Sequence, residues 1–206
     1  MPTTATRSPK GHLAAARPAL SDLGKSPSVL LLVDVINPLD FEGAEALQLP
    51  AVAAARAVVR LRARATRQGT QCIYANDNYN AWRSDFQAVW RRCSRMRDAP
   101  DTIARALKPR ARDLTILKPR HSAFYATPLD LLLKQLECRR LIITGLSADN
   151  CVLFSAMDAY LRGYAVWVPS DCVAAESAEA KEQALAQMAR VLKADTRAAL
   201  AGKTGA

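Results

Sequence analysis

The stretch from Leu141 to Ser170, LIITGLSADNCVLFSAMDAYLRGYAVWVPS, constrains the fold more than any other part of the chain. Leu141, Ile142 and Ile143 form a short apolar run ended by Gly145, the pattern of a buried parallel strand. Val152, Ser155, Ala156 and Ala159 then recur at helical spacing until Gly163 stops them. Tyr164, Val166, Trp167 and Val168 resume as a strand, closed by Pro169. Strand, helix and strand in that order form a crossover unit whose two strands run parallel. Cys151 sits where the loop becomes the helix. There, unpaired backbone N–H groups and the helix dipole favour thiolate over thiol, lowering the pKa from about 8.5. The same N–H groups can hold a developing oxyanion. The position also fits a small residue packed beneath a turn, so the rest of the chain must decide.

The rest repeats the alternation. Residues 29–36, VLLLVDVI, read as a buried strand that delivers Asp34 near its C-terminal end, where open parallel sheets carry their ligand crevice. A carboxylate in such a run is costly unless paired or used. Pro50 to Gln68 is expected to be a helix with Pro at its start and Gly69 after it. Gln71 to Asn76 is the second strand, followed by a polar loop, NDNYNAWRSDF, over 76–86. Phe86, Val89, Trp90, Cys93 and Met96 recur at helical spacing, and 101–107 suits a further short helix. Leu114 to Leu117 is the third strand, with Lys118 at its tip. Thr127-Pro128 opens a helix whose buried face is Leu129, Leu132, Leu133 and Leu136. Ser177 to Leu192 is an amphipathic helix, and 193–200 is expected to add a short edge strand and a last turn. This is an α/β chain with a parallel sheet covered on both faces. Asp34, Lys118 and Cys151 all fall at strand C-terminal ends, where carboxylate, ammonium and thiol can meet.

A length of 206 residues suits one such domain, assigned to 28–200. Residues 1–27 read as a flexible basic leader and 201–206 as a C-terminal tail. The leader lacks the apolar core of a signal peptide, no segment resembles a membrane span, and the cytoplasm is the expected location. Five cysteines at 72, 93, 138, 151 and 172 form no C-x-x-C pair and read as reduced thiols. Residues 51–112 hold fourteen Lys or Arg and four Asp or Glu, which accounts for the whole net charge of +10. Such a face can attract anions, but Arg56, Arg60, Arg64 and Arg67 at helical spacing also describe a solvated helix. Without an aromatic-rich binding motif, a nucleic-acid partner is not expected. Only two histidines occur, His12 in the leader and His121. His121 lies three residues after Lys118, so a Cys–His dyad is a rival catalytic scheme and a polar loop residue the plainer reading.

Three segments, LLVDVIN around Asp34, LKPRHSAFYATPLDLLL around Lys118 and ITGLSADNCVLFSAMDAYLRGYAVWVPSD around Cys151, together resemble the isochorismatase-like cysteine hydrolase superfamily. The resemblance implies a three-layer α/β/α, Rossmann-like domain with a six-stranded, mostly parallel sheet. It makes Cys151 the nucleophile, Asp34 the proton carrier and Lys118 the cation that supports them. It also implies a cis peptide at Leu146–Ser147 that aims the N–H groups of Ser147 and Cys151 into an oxyanion hole. Nicotinamidase-type members place a metal-binding Asp and two His residues after the second strand. This chain keeps Asp77 but has Tyr79 and Arg83 there, so no metal and no cofactor are expected. The aromatic clamp positions read Leu39 and Asn78. Tyr79, Trp82 and Phe124 are further pocket candidates, each equally suited to ordinary packing. Isochorismatases proper cleave a vinyl ether without needing the Cys nucleophile, so Cys151 points to the amidase-like branch. The expected activity is hydrolysis of an amide-type C–N bond of a small molecule through a thioester. The alternatives are a catalytically silent binding or scaffold protein and a vinyl-ether hydrolase. Family members are commonly dimers or tetramers, so a homo-oligomer is expected.

Overall fold

Apolar runs bounded by turns become six strands, all parallel: β1 (Ser28–Val33), β2 (Gln71–Asp77), β3 (Leu114–Lys118), β4 (Arg140–Leu146), β5 (Ala165–Trp167) and β6 (Val173–Ala174). Their order is β3-β2-β1-β4-β5, with β6 also paired to β4. The computed structural model describes residues 23–199. Most of the expected leader and the C-terminal tail thus lie outside the described residues. The last residues before β1 are tied down: the Ser26 N–H donates to the Leu136 carbonyl at 2.8 Å, and the Pro27 carbonyl accepts from Arg139 and Arg140.

Alternation along β1 sends Leu30 and Leu32 to one face of the sheet and Val29, Leu31 and Val33 to the other. On the first face pack α1 (Ala44–Arg67), α2 (Phe86–Cys93) and α3 (Asp98–Ala106). On the second pack α4 (Leu129–Gln135), α5 (Leu153–Leu161) and α6 (Ala178–Leu192). Helix α1 begins six residues before the expected start and carries Pro50 inside it. Burial of Ala44 and Leu47 holds the extra turn despite the bond that proline cannot donate.

The sixth strand is not at 193–200. Asp195 makes a single bridge to Trp167 there. The sixth strand is β6, two residues long after a 3₁₀ turn over Ser170–Cys172, too short to show a period. It extends the edge of β4 beyond β5: β5 pairs with Arg140–Ile142 and β6 with Gly145–Leu146. The chain changes direction between β1 and β4, and a crevice at their C-terminal ends follows. Gly145 is required there. It has φ +124°, and a Cβ would lie 1.8 Å from the Val33 carbonyl oxygen of β1.

Candidate active site

Asp34 directly follows β1, in a left-handed conformation with φ 48°. Its N–H continues the ladder by donating to the Ala75 carbonyl at 3.0 Å. Its Oδ1 accepts the Asp77 N–H at 2.6 Å, and its Oδ2 lies 2.6 Å from Lys118 Nζ. Lys118 ends β3 in register with Asp77 of β2, so its side chain crosses the end of β2 to reach Asp34. Lys118 is 0% exposed and Asp34 3%. Lys118 Nζ also donates to the Arg120 carbonyl at 3.1 Å and lies 3.8 Å from Asp77 Oδ2.

Cys151 stands in a π-helical turn, Ala148–Val152, that leads into α5. The Leu146–Ser147 peptide before it is cis. The Ser147 carbonyl accepts the N–H groups of Asn150 and Val152. Cys151 Sγ lies 3.5 Å from Lys118 Nζ and 3.9 Å from His121 Nδ1. Thus residues distant in sequence meet at one end of the sheet: Asp34, Lys118 and Cys151, with Asp77 and His121 beside them.

Burial decides the charge states. It raises the Asp34 carboxyl against the opposing pull of Lys118. Burial by itself would lower the Lys118 ammonium, but Asp34, Cys151 and Asp77 together raise it. The Cys151 thiol is pushed up to about 12, by burial first and by the Asp34 charge second. The helix-terminus reading of a lowered thiol pKa is therefore overturned. The field of one helix end is smaller than desolvation plus a neighbouring carboxylate. The resting group is a thiol, next to a base that can take its proton.

The pocket candidates separate. Asn78 and Tyr79 line a cleft of about 200 Å³ with Pro38, Val89, Arg92 and Cys93. The Tyr79 N–H is held by Asp77 Oδ1 at 2.6 Å, and its hydroxyl donates to the Ile36 carbonyl at 3.4 Å. Leu39 instead belongs to the core beneath α1. Trp82 is 76% exposed. Phe124 is buried on the opposite face, stacked with Tyr164 beneath the Arg162 guanidinium. The structure gives that ring a packing role. The metal-site residues do not fit a metal: Asp77 faces Lys118 and the Tyr79 N–H, while the Tyr79 hydroxyl turns to a carbonyl. Among the described residues no group of three or more His, Cys, Asp or Glu could hold an ion.

Sequence reasoning missed two features of the site. One is Asp77 as a partner of Lys118, visible only once the β2–β3 register is known. The other is the clamp around His121. Ser122 Oγ donates to Asp158 Oδ2, the Ala123 N–H donates to Ser155 Oγ, and Ser155 Oγ donates to the Cys151 carbonyl.

Comparison with known proteins matches residues 28–198 to the Isochorismatase domain. The chain is 38% identical to "Uncharacterized isochorismatase family protein YaaI" of Bacillus subtilis, over 84% of this chain and 94% of that one. It is 29% identical to the maleamate amidohydrolase of Pseudomonas putida, over 73% of each chain. The crystal structure of N-carbamoylsarcosine amidase from Thermoplasma acidophilum superposes with a TM-score of 0.63 at 26% identity, covering 83% of this chain and 95% of that one.

Proposed function

The chain belongs to the isochorismatase family of hydrolases, and we propose that within it the protein is a cysteine amidohydrolase cleaving a C–N bond of a small molecule. The observation that carries this reading is a thiol 3.5 Å from a buried ammonium that is itself 2.6 Å from a buried carboxylate. An amidohydrolase and an amidase among the similar proteins support the same bond type.

The chemistry follows from the charge states. Asp34 accepts the thiol proton as Sγ attacks the amide carbonyl carbon, so thiolate forms only during reaction. Lys118 stabilises the negative charge that moves between carboxylate and sulfur. The N–H groups of Ser147 and Cys151 receive the oxyanion. Asp34 then gives its proton to the leaving nitrogen, the C–N bond breaks, and an acyl thioester remains on Cys151. Water releases the acid and restores the thiol. Asn78 and Tyr79 form the substrate-facing wall.

A panel of small primary amides and ureido compounds, read by release of ammonia, tests the reading. The wild type is expected to turn over at least one of them, and Cys151→Ala and Lys118→Met to lose at least about 10²-fold in kcat/KM. Turnover that survives Cys151→Ala would remove the thioester mechanism.

We also propose that the protein works as a homo-oligomer. The support is the apolar outer face of α5 towards its C-terminal end, where Met157, Tyr160 and Leu161 are exposed.

A further inference from the structure

We propose that His121 is the general base that activates water in the second half of the reaction, the hydrolysis of the Cys151 thioester. This rests on the cysteine-hydrolase reading above and extends it to a residue that reading leaves idle.

The sulfur has two unlike sides. On the inner side stand Lys118 and Asp34, 0% and 3% exposed. On the outer side stands His121, exposed to solvent, with Nδ1 3.9 Å from Sγ and its ring lying 5.5 Å from that of Phe154. Once an acyl group occupies the sulfur, water reaches its carbonyl carbon from the outer side. The basic atom on that side is the imidazole nitrogen.

The backbone that carries His121 is fixed on both flanks. The residue before it is held through its carbonyl by Lys118 Nζ at 3.1 Å. The residues after it are held by α5, the helix that Cys151 leads into: Ser122 by Asp158, and the Ala123 N–H by Ser155 Oγ at 2.9 Å. Ser155 Oγ in turn donates to the Cys151 carbonyl at 2.6 Å. An exposed ring on a backbone locked to both the ammonium and the nucleophile's helix is the support that a positioned base needs. A solvated loop histidine needs none of it.

The step balances. Unprotonated Nδ1 takes one proton from water as the water oxygen bonds to the thioester carbonyl carbon. The tetrahedral adduct collapses, the C–S bond breaks, and its electron pair returns to Sγ. The imidazolium gives its proton to Sγ, which restores the thiol and the neutral ring. Asp34 and Lys118 enter and leave the step unchanged.

The test uses p-nitrophenyl acetate as a generic acyl donor with the full-length protein and its His121→Ala, His121→Asn and Cys151→Ala variants. The wild type is expected to show a stoichiometric burst of p-nitrophenolate followed by linear turnover, and Cys151→Ala no burst. Both His121 variants are expected to keep the burst while the linear phase slows by about 10²-fold. Intact mass would then show acetyl accumulating on Cys151, and free imidazole would restore part of the linear phase. Linear phases equal to wild type overturn the proposal. So do burst and linear phase falling together, since that marks a purely structural histidine. A wild type with no Cys151-dependent burst overturns the nucleophile reading itself, and this proposal with it.

Discussion

At the scale of single residues, what matters is which groups hold protons at rest. Burial and the Asp34 charge keep Cys151 a thiol, and Lys118 opposes them. The two partners therefore pull the thiol in opposite directions. Asp34→Asn removes a cause of the raised pKa, so the pH midpoint of Cys151 alkylation by iodoacetamide is expected to fall, even though the proposed mechanism predicts loss of turnover. Lys118→Met removes the stabilising cation, so the midpoint is expected to rise. Peptide mass mapping across a pH series measures both, and an unmoved midpoint in Asp34→Asn would show the two groups to be uncoupled. Asp34 and Lys118 stood out in the sequence as charged groups at the ends of apolar runs, and Cys151 as a thiol at a loop-to-helix junction, while their proposed roles came from the family resemblance. Their charge states were not legible, because desolvation depends on what packs around them. Asp77 was legible as a carboxylate but not as a partner of Lys118.

At the scale of elements, helix positions followed from periodicity and strand positions from apolar runs, and errors fell where burial, brevity or a left-handed residue overrode them: the strand expected at 29–36 stops at Val33, before Asp34 at φ 48°. Helix α1 runs through Pro50 because Ala44 and Leu47 are buried. Two-residue β6 carries no period at all. Arg62 is the least legible residue of α1. It sits among surface arginines in sequence, yet it is 5% exposed. It donates to the Tyr74 hydroxyl and, at 3.1 Å, to the Lys108 carbonyl, and lies 3.7 Å from buried Asp113. These partners join α1 to β2 and to the α3–β3 connection, and no local pattern announces them. Arg62→Met leaves Asp113 without its cation and is expected to cost about 3–5 kcal/mol in urea unfolding. Adding Asp113→Asn should recover part of that loss. A single variant within about 0.5 kcal/mol of wild type would assign the cluster no structural weight.

For the whole molecule, the basic stretch of 51–112 covers α1, α2 and α3, which all pack on one face of the sheet. The other face carries α4, α5 and α6 with the exposed apolar side chains of α5. Like charge disfavours a second copy against the first face, which leaves the second for self-association. Sedimentation velocity is expected to find a dimer or larger species at micromolar concentration, and Leu161→Glu to shift it towards the monomer. A monomeric wild type would sink the idea. The alternation of elements made the layered architecture legible from the chain. The distribution of charge over its two faces required knowing which side each crossover takes.

Gly145 and Val33 touch main chain to main chain, and that contact has a bearing on how such a protein can change over time. The strand ends beside Asp34 and Cys151 are spaced by backbone atoms alone, with no room even for a methyl group. The cleft lined by Asn78 and Tyr79 is built largely from a different stretch, the loop after β2 and helix α2. Substitutions there can reshape that cleft without respacing Asp34, Lys118 and Cys151. On the proposed mechanism, selectivity is thus open to change by small steps while the reacting groups keep their spacing.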